Sequence, residues 1–164
     1  MPSNIPKVAI FAIAFAFVEA AVVVYLRHIV GFAPLEVSKD EVALVLPGIA
    51  FLKANAAVKI IDSRALLNIE MVREAATIVI LASVALLAGK KFWDRVAYFF
   101  LAFGIWDIFY YLFLRATVGW PQTLADADVL FLLPVPWVGP VFVPVLISGV
   151  LVAGSLFYLR RREK

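Results

Sequence analysis

A chain of 164 residues that is 65% hydrophobic and 16% charged, with a mean hydropathy of +1.00 and a net charge of +3, lies far outside the roughly 45 to 50% apolar usage of soluble domains. It reads as one integral membrane domain, long enough for a bundle of four or five spans of about 20 residues each. No cysteine and a single histidine exclude disulfides, thiol chemistry and multi-histidine metal or haem centres within the chain, and the long continuous apolar runs exclude a β-barrel.

The first predicted span covers about residues 7–30. It is too long for a signal-peptide core and shows no persuasive cleavage site, so it is expected to be retained. Ala12, Ala16 and Ala20 recur every four residues along it, a spacing that lets membrane helices pack closely.

Residues 41–62 are apolar enough to cross but are broken by Pro47 and Gly48 and carry Lys53, Asn55 and Lys59. A lysine at mid-bilayer costs about 2.5 to 3.5 kcal/mol on insertion scales. A Pro-broken re-entrant or interfacial segment is therefore favoured over a fifth span.

Further spans are predicted at about residues 66–88, 92–116 and 141–159. Gly89, Lys90 and Lys91 turn the chain between the first two of these, and Pro140 and Pro144 stand near the start of the last, where a missing amide donor does least harm. Gly149 and Ala153 repeat the small-residue spacing there. Such faces serve bundle assembly, with a homo-oligomer or membrane partner as the functional alternative. The 117–139 loop, with Trp120, Trp137 and several prolines, is expected to lie as a lid at the membrane interface, with Asp126 and Asp128 as solvated loop acids.

The fold class expected is thus all-α, a polytopic membrane bundle of four transmembrane helices plus the broken segment. Lys90, Lys91 and Arg95 in one turn and Arg160, Arg161 and Arg162 in the tail put the C-terminus in the cytoplasm of a cell-membrane protein. The N-terminus is also cytoplasmic if there are four spans. The basic tail reads as a topology anchor, and no nucleic-acid partner is implied.

Polar chemistry concentrates in one slab of this apolar chain. Asp107 lies about 13 Å and Glu19 about 16 Å below the outer ends of their helices, and Glu70, Arg73 and Glu74 roughly 6 to 12 Å down, at 1.5 Å per residue. Glu70, Arg73 and Glu74 share one helical face, and Asp107, Tyr111 and Arg115 climb another toward the outer surface, flanked by Tyr110. Tyr25, Arg27 and His28 close the first span. Five unpaired charges in lipid would cost on the order of 15 kcal/mol, so they are expected to meet one another. Glu19, Glu70, Arg73, Glu74, Asp107 and Tyr111 are the binding or ion-site candidates, with Tyr25, Arg27, His28, Tyr110 and Arg115 secondary to them. Four acids outnumber the three arginines within reach. A held proton, a bound cation (a hard divalent ion among them), or Lys53 or Lys59 reaching inward would neutralise the excess.

The stretches "WDIFYYLFL", "GWP" and "DVLFLLPVPWVGPVFVP" resemble a pattern of prokaryotic multi-pass membrane proteins without an assigned function. The likeness covers about residues 66–146, is most specific at Pro-Val-Pro-Trp, and implies no activity, cofactor or catalytic residue. Three readings follow from the residues. The first is a small transporter or binder of protons, cations or a cationic solute. The second is a membrane-embedded enzyme acting on a lipid or isoprenoid-like substrate, although no D-D-x-x-D, His-rich, G-x-S-x-G or P-loop motif supports one. The third is an accessory or assembly subunit locked by ion pairs.

Overall fold

In the structure, a computed structural model that describes residues 4–30, 38–61 and 63–163, four helices are long and apolar enough to cross a membrane. They are α1 Ile5–Val30, α3 Arg64–Ala88, α4 Phe92–Val118 and α5 Phe142–Glu163. Lengths of 26, 25, 27 and 22 residues correspond to about 33 to 40 Å, enough to cross about 30 Å of hydrocarbon. Their prolines, Pro6 and Pro144, fall in first turns, where the ring fits the helix and no internal amide bond is lost. Ser63 caps α3 by accepting the Leu66 amide at 3.4 Å. Such a set of apolar helices fits a membrane protein, as the composition implies.

Contacts at the helix ends fix the arrangement. The Asn4 side chain donates to the Ala88 carbonyl at 3.0 Å, setting the start of α1 beside the end of α3. The Tyr158 hydroxyl lies 3.3 Å from Asp94, setting the end of α5 beside the start of α4. One end of the bundle therefore holds both ends of the described chain and the Gly89–Lys91 turn. The other holds the end of α1 and α4 and the start of α3 and α5.

Helix α4 is the axis, packed against α1, α3 and α5. Ala12, Ala16 and Ala20 are buried and pack with Leu101, Ala102 and Leu114 of α4. Gly104 brings α4 onto α5, since a Cβ there would stand 2.7 Å from the Ser148 carbonyl oxygen. The inward face of α5 carries Ser148, Ser155 and Leu159. Gly149 and Ala153, expected to pack helices, point outward instead and take no part in the packing of this bundle.

Residues 41–62 do not cross. They form strands β1 Val42–Leu46 and β2 Ile49–Leu52, a 3₁₀ turn at Ala54–Ala56 and the short helix α2 Ala57–Ile60, with Asp62 outside the described residues. The Pro47–Gly48 pair that argued against a span is the hairpin turn, Gly48 taking φ +82°, and short runs of Val, Leu and Ile on either side supply the strands. The 117–139 loop is likewise more ordered than an irregular lid. It contains β3 Ala127–Phe131 and β4 Trp137–Pro140. The four strands form one antiparallel sheet, order β1-β2-β4-β3, beside the end where α5 begins. The sheet is minor beside the helices, and the bundle is the fold.

Candidate functional site

Arg73 on α3 is the centre of the first group of polar side chains. Its Nε donates to Glu70 Oε2 at 2.9 Å while Nη2 donates to the other carboxylate oxygen, a two-pronged match of guanidinium to carboxylate. Its Nη1 donates to Glu19 on α1. The Thr77 hydroxyl donates to the same Glu19 oxygen at 2.9 Å. Glu19, Glu70 and Thr77 are all buried, so α1 and α3, which touch little elsewhere, are joined through ionic hydrogen bonds.

A second group sits where the sheet meets α1 and α4. Asp128 on β3 accepts a hydrogen bond from the Tyr111 hydroxyl at 3.1 Å and pairs with Arg27 of α1 at 3.5 Å. Arg27 lies over the Trp120 ring, 4.0 Å from its centroid. Burial pushes the Asp128 carboxyl up to about 6, against the opposing pull of Arg27 and of the Tyr111 hydrogen bond. Asp126, two residues earlier, is a turn acid. It accepts the Gln122 amide at 2.7 Å and the Thr123 hydroxyl at 2.6 Å, and the Thr123 bond holds it below the usual carboxylate range.

Two of the buried acids make no ion pair with an arginine, although Glu74 lies within electrostatic range of Arg73. Glu74 accepts the Leu132 amide at 2.9 Å, so the β3–β4 connection is fastened to α3. Asp107 accepts the Ser148 hydroxyl of α5 at 2.8 Å. Tyr110 links the two groups, lying within electrostatic range of Arg73 and Glu70 on one side and Arg27 and Asp128 on the other. Tyr111 similarly feels both Asp128 and Asp107. Polar side chains of α1, α3, α4, the sheet and α5 thus form a series whose neighbours lie within electrostatic range of one another.

No family model, curated protein or solved structure matches this chain. The chemistry must be argued from the residues themselves.

Of the sequence candidates, the structure brings Glu19, Glu70, Arg73, Glu74, Asp107, Tyr111, Tyr110 and Arg27 into or beside this series. Three others stand outside it. Tyr25 is exposed, His28 is exposed with its Nδ1 3.0 Å from the Val24 carbonyl, and exposed Arg115 donates to the Pro121 carbonyl at 3.0 Å, tying down the chain after α4. Lys53 is exposed rather than reaching inward, and the Lys59 side chain lies outside those described. Asp128, expected to be a solvated loop acid, is the correction: it lies in β3, buried against Tyr111 and Arg27. Thr77 and Ser148 were also missed, because a lone hydroxyl in an apolar helix gives no signal until its partner helix is known.

Among the described residues no three His, Asp or Glu side chains converge as metal ligands would. An open apolar groove between α4 and α5, lined by Trp93, Phe100, Val150 and Tyr158, lies toward the other end of the bundle and holds none of these acids.

Proposed function

We propose that this protein is a small multi-pass membrane protein whose interior carboxylates take up and pass a proton or a small monovalent cation. One observation carries the reading. Of the six buried acids among the described residues, Glu19, Glu70, Glu74, Asp107 and Asp128 share their part of the molecule with two arginines, Arg27 and Arg73, and Asp107 and Glu74 make no ion pair, Asp107 accepting from the Ser148 hydroxyl and Glu74 from backbone amides of Leu132 and Leu133. Ionisable groups inside a membrane mark ion and proton paths, because a charge held there without a purpose is costly. A mobile positive charge resting at the unpaired acids satisfies the excess without a divalent metal, whose ligands would have to converge. The crowding of basic residues near Lys90 and Arg160 supports placing both termini in the cytoplasm and the sheet outside.

The test is flux into proteoliposomes, followed with a pH-sensitive dye and separately with a potassium-sensitive dye under an imposed potential. Asp107→Asn, Glu70→Gln and Glu74→Gln are expected to lower the flux on the order of 100-fold, as removal of a positioned proton-transfer group does. Flux equal to that of empty vesicles in the parent protein removes the reading. The Arg73 fork onto Glu70 and Glu19 favours a second reading, an ion-paired lock that only holds α1 to α3. That lock predicts that the acid variants lose stability and that the parent carries nothing.

A further inference from the structure

The hairpin formed by β1 and β2 has a property that its own fold does not use. A strand covered on one face shows apolar and polar side chains in alternation, yet consecutive β1 residues Leu44, Val45 and Leu46 are 54%, 68% and 45% exposed. Both faces of this edge strand are therefore bare and apolar. Residues 42–52 contain no charge, while Lys39, Asp40, Glu41 and Lys53 bracket the base of the hairpin. Polarity is thus arranged along the hairpin rather than across it.

The register shows where the bare end lies. Ala50 pairs with Val138 of β4, which places the Pro47–Gly48 turn alongside the point where β4 leads into α5. The close approach of the turn to α5 agrees, since a Cβ on Gly48 would stand 2.8 Å from Val143 in the first turn of that helix. On α5, Phe142, Leu146, Ile147 and Val150 are 40%, 63%, 49% and 71% exposed. The bare hairpin end and the outward face of a membrane-length helix make one continuous apolar surface.

We infer that the β1–β2 hairpin is a membrane-inserting element, its Leu44–Leu46 end immersed in the acyl and headgroup boundary of the leaflet beside α5. The occupant of this surface is lipid, because the surface it continues is the one that faces lipid. The inference rests on the membrane reading of the helices and is independent of what the acids carry. Immersion covers the apolar side chains of this edge strand, while the headgroup zone and its water offer hydrogen-bond partners to the free backbone groups that would otherwise invite another chain to pair, and it tethers the sheet that carries Asp128 beside the acids of the helices.

The chain has no cysteine, so single labels are direct. Val45→Cys, Lys53→Cys and Val150→Cys are each coupled to an environment-sensitive fluorophore in phosphatidylcholine and phosphatidylglycerol vesicles, with lipids spin-labelled at shallow or deep acyl positions as quenchers. For the Val45→Cys label the inference predicts blue-shifted emission and stronger quenching by the shallow spin label. The Val150→Cys label should be quenched strongly by the deep one, and the Lys53→Cys label should show neither effect. Quenching of the Val150→Cys label without quenching of the Val45→Cys label overturns the hairpin inference alone. Absence of quenching at both positions overturns the membrane reading beneath it. A Val45→Cys signal that arises only at high protein-to-lipid ratio overturns the inference in favour of a second copy of the chain.

Discussion

Replacing Arg73 by Met leaves Glu19 and Glu70 facing each other without a cation between them. Removing one partner of a buried ion pair costs about 3 to 5 kcal/mol, chiefly through the charge left behind. Denaturation of the purified protein in mild detergent is expected to show a loss of this size for Arg73→Met. Most of it should return when Glu19→Gln and Glu70→Gln are added, and a triple variant as unstable as the single one would mean that packing, not charge, is at stake. At Asp128 the prediction concerns pH. Its folded-state value near 6 lies above its ordinary 3.8, so the native state holds the proton more tightly and stability falls as pH rises from about 4 to 6. The gap between the two values corresponds to about 3 kcal/mol. The difference in stability between parent and Asp128→Asn should change across that window, and parallel profiles would contradict it. At this scale the acids of the spans were legible because a charge in an apolar run has few tolerable positions. Their individual partners were not. The sequence shows Glu70, Arg73 and Glu74 on one face, but which acid the arginine grips and which one turns to Leu132 depends on elements far away in the chain.

Helix α4 approaches α5 closely at Gly104, where the bare backbone meets Ser148. Gly104→Leu forces the two backbones apart and is expected to destabilise by about 1 to 3 kcal/mol, the usual penalty of overpacking. It should also lower flux, because Ser148 is carried away from Asp107. The check is melting temperature and flux measured on the same preparation, and unchanged values in both would show that the crossing is looser than its geometry implies. The helices themselves were readable from continuous apolar length, to within a few residues at each end. The strands were not. "VALVLPGIAFL" is apolar throughout, so no alternation separates a strand from a helix there, and only the Pro-Gly turn between two short apolar runs carried the information. Gly149 and Ala153 show the opposite error. Small-residue spacing is a property of a helix face and does not say whether that face meets a neighbour in the same chain.

For the molecule as a whole, the arrangement of helix ends makes topology testable in one experiment. A cysteine introduced by Lys53→Cys should react with a membrane-impermeant maleimide added outside intact cells, and one introduced by Lys90→Cys should react only after permeabilisation. The reverse pattern would invert the placement of the sheet. The central claim is that the interior acids outnumber their fixed cations and hold something mobile. Incubating the lipid-embedded protein with a membrane-permeant carbodiimide, which adds to a carboxyl group that carries a proton in apolar surroundings, tests it most directly when adducts are located by peptide mass spectrometry. Adducts are predicted on Glu74 or Asp107 and none on Glu19, whose carboxylate oxygen already accepts from the Arg73 guanidinium and the Thr77 hydroxyl. In a buffer free of alkali cations, Glu19, Glu70, Glu74, Asp107 and Asp128 all left unmodified, at doses that modify other membrane carboxyls, would contradict the claim.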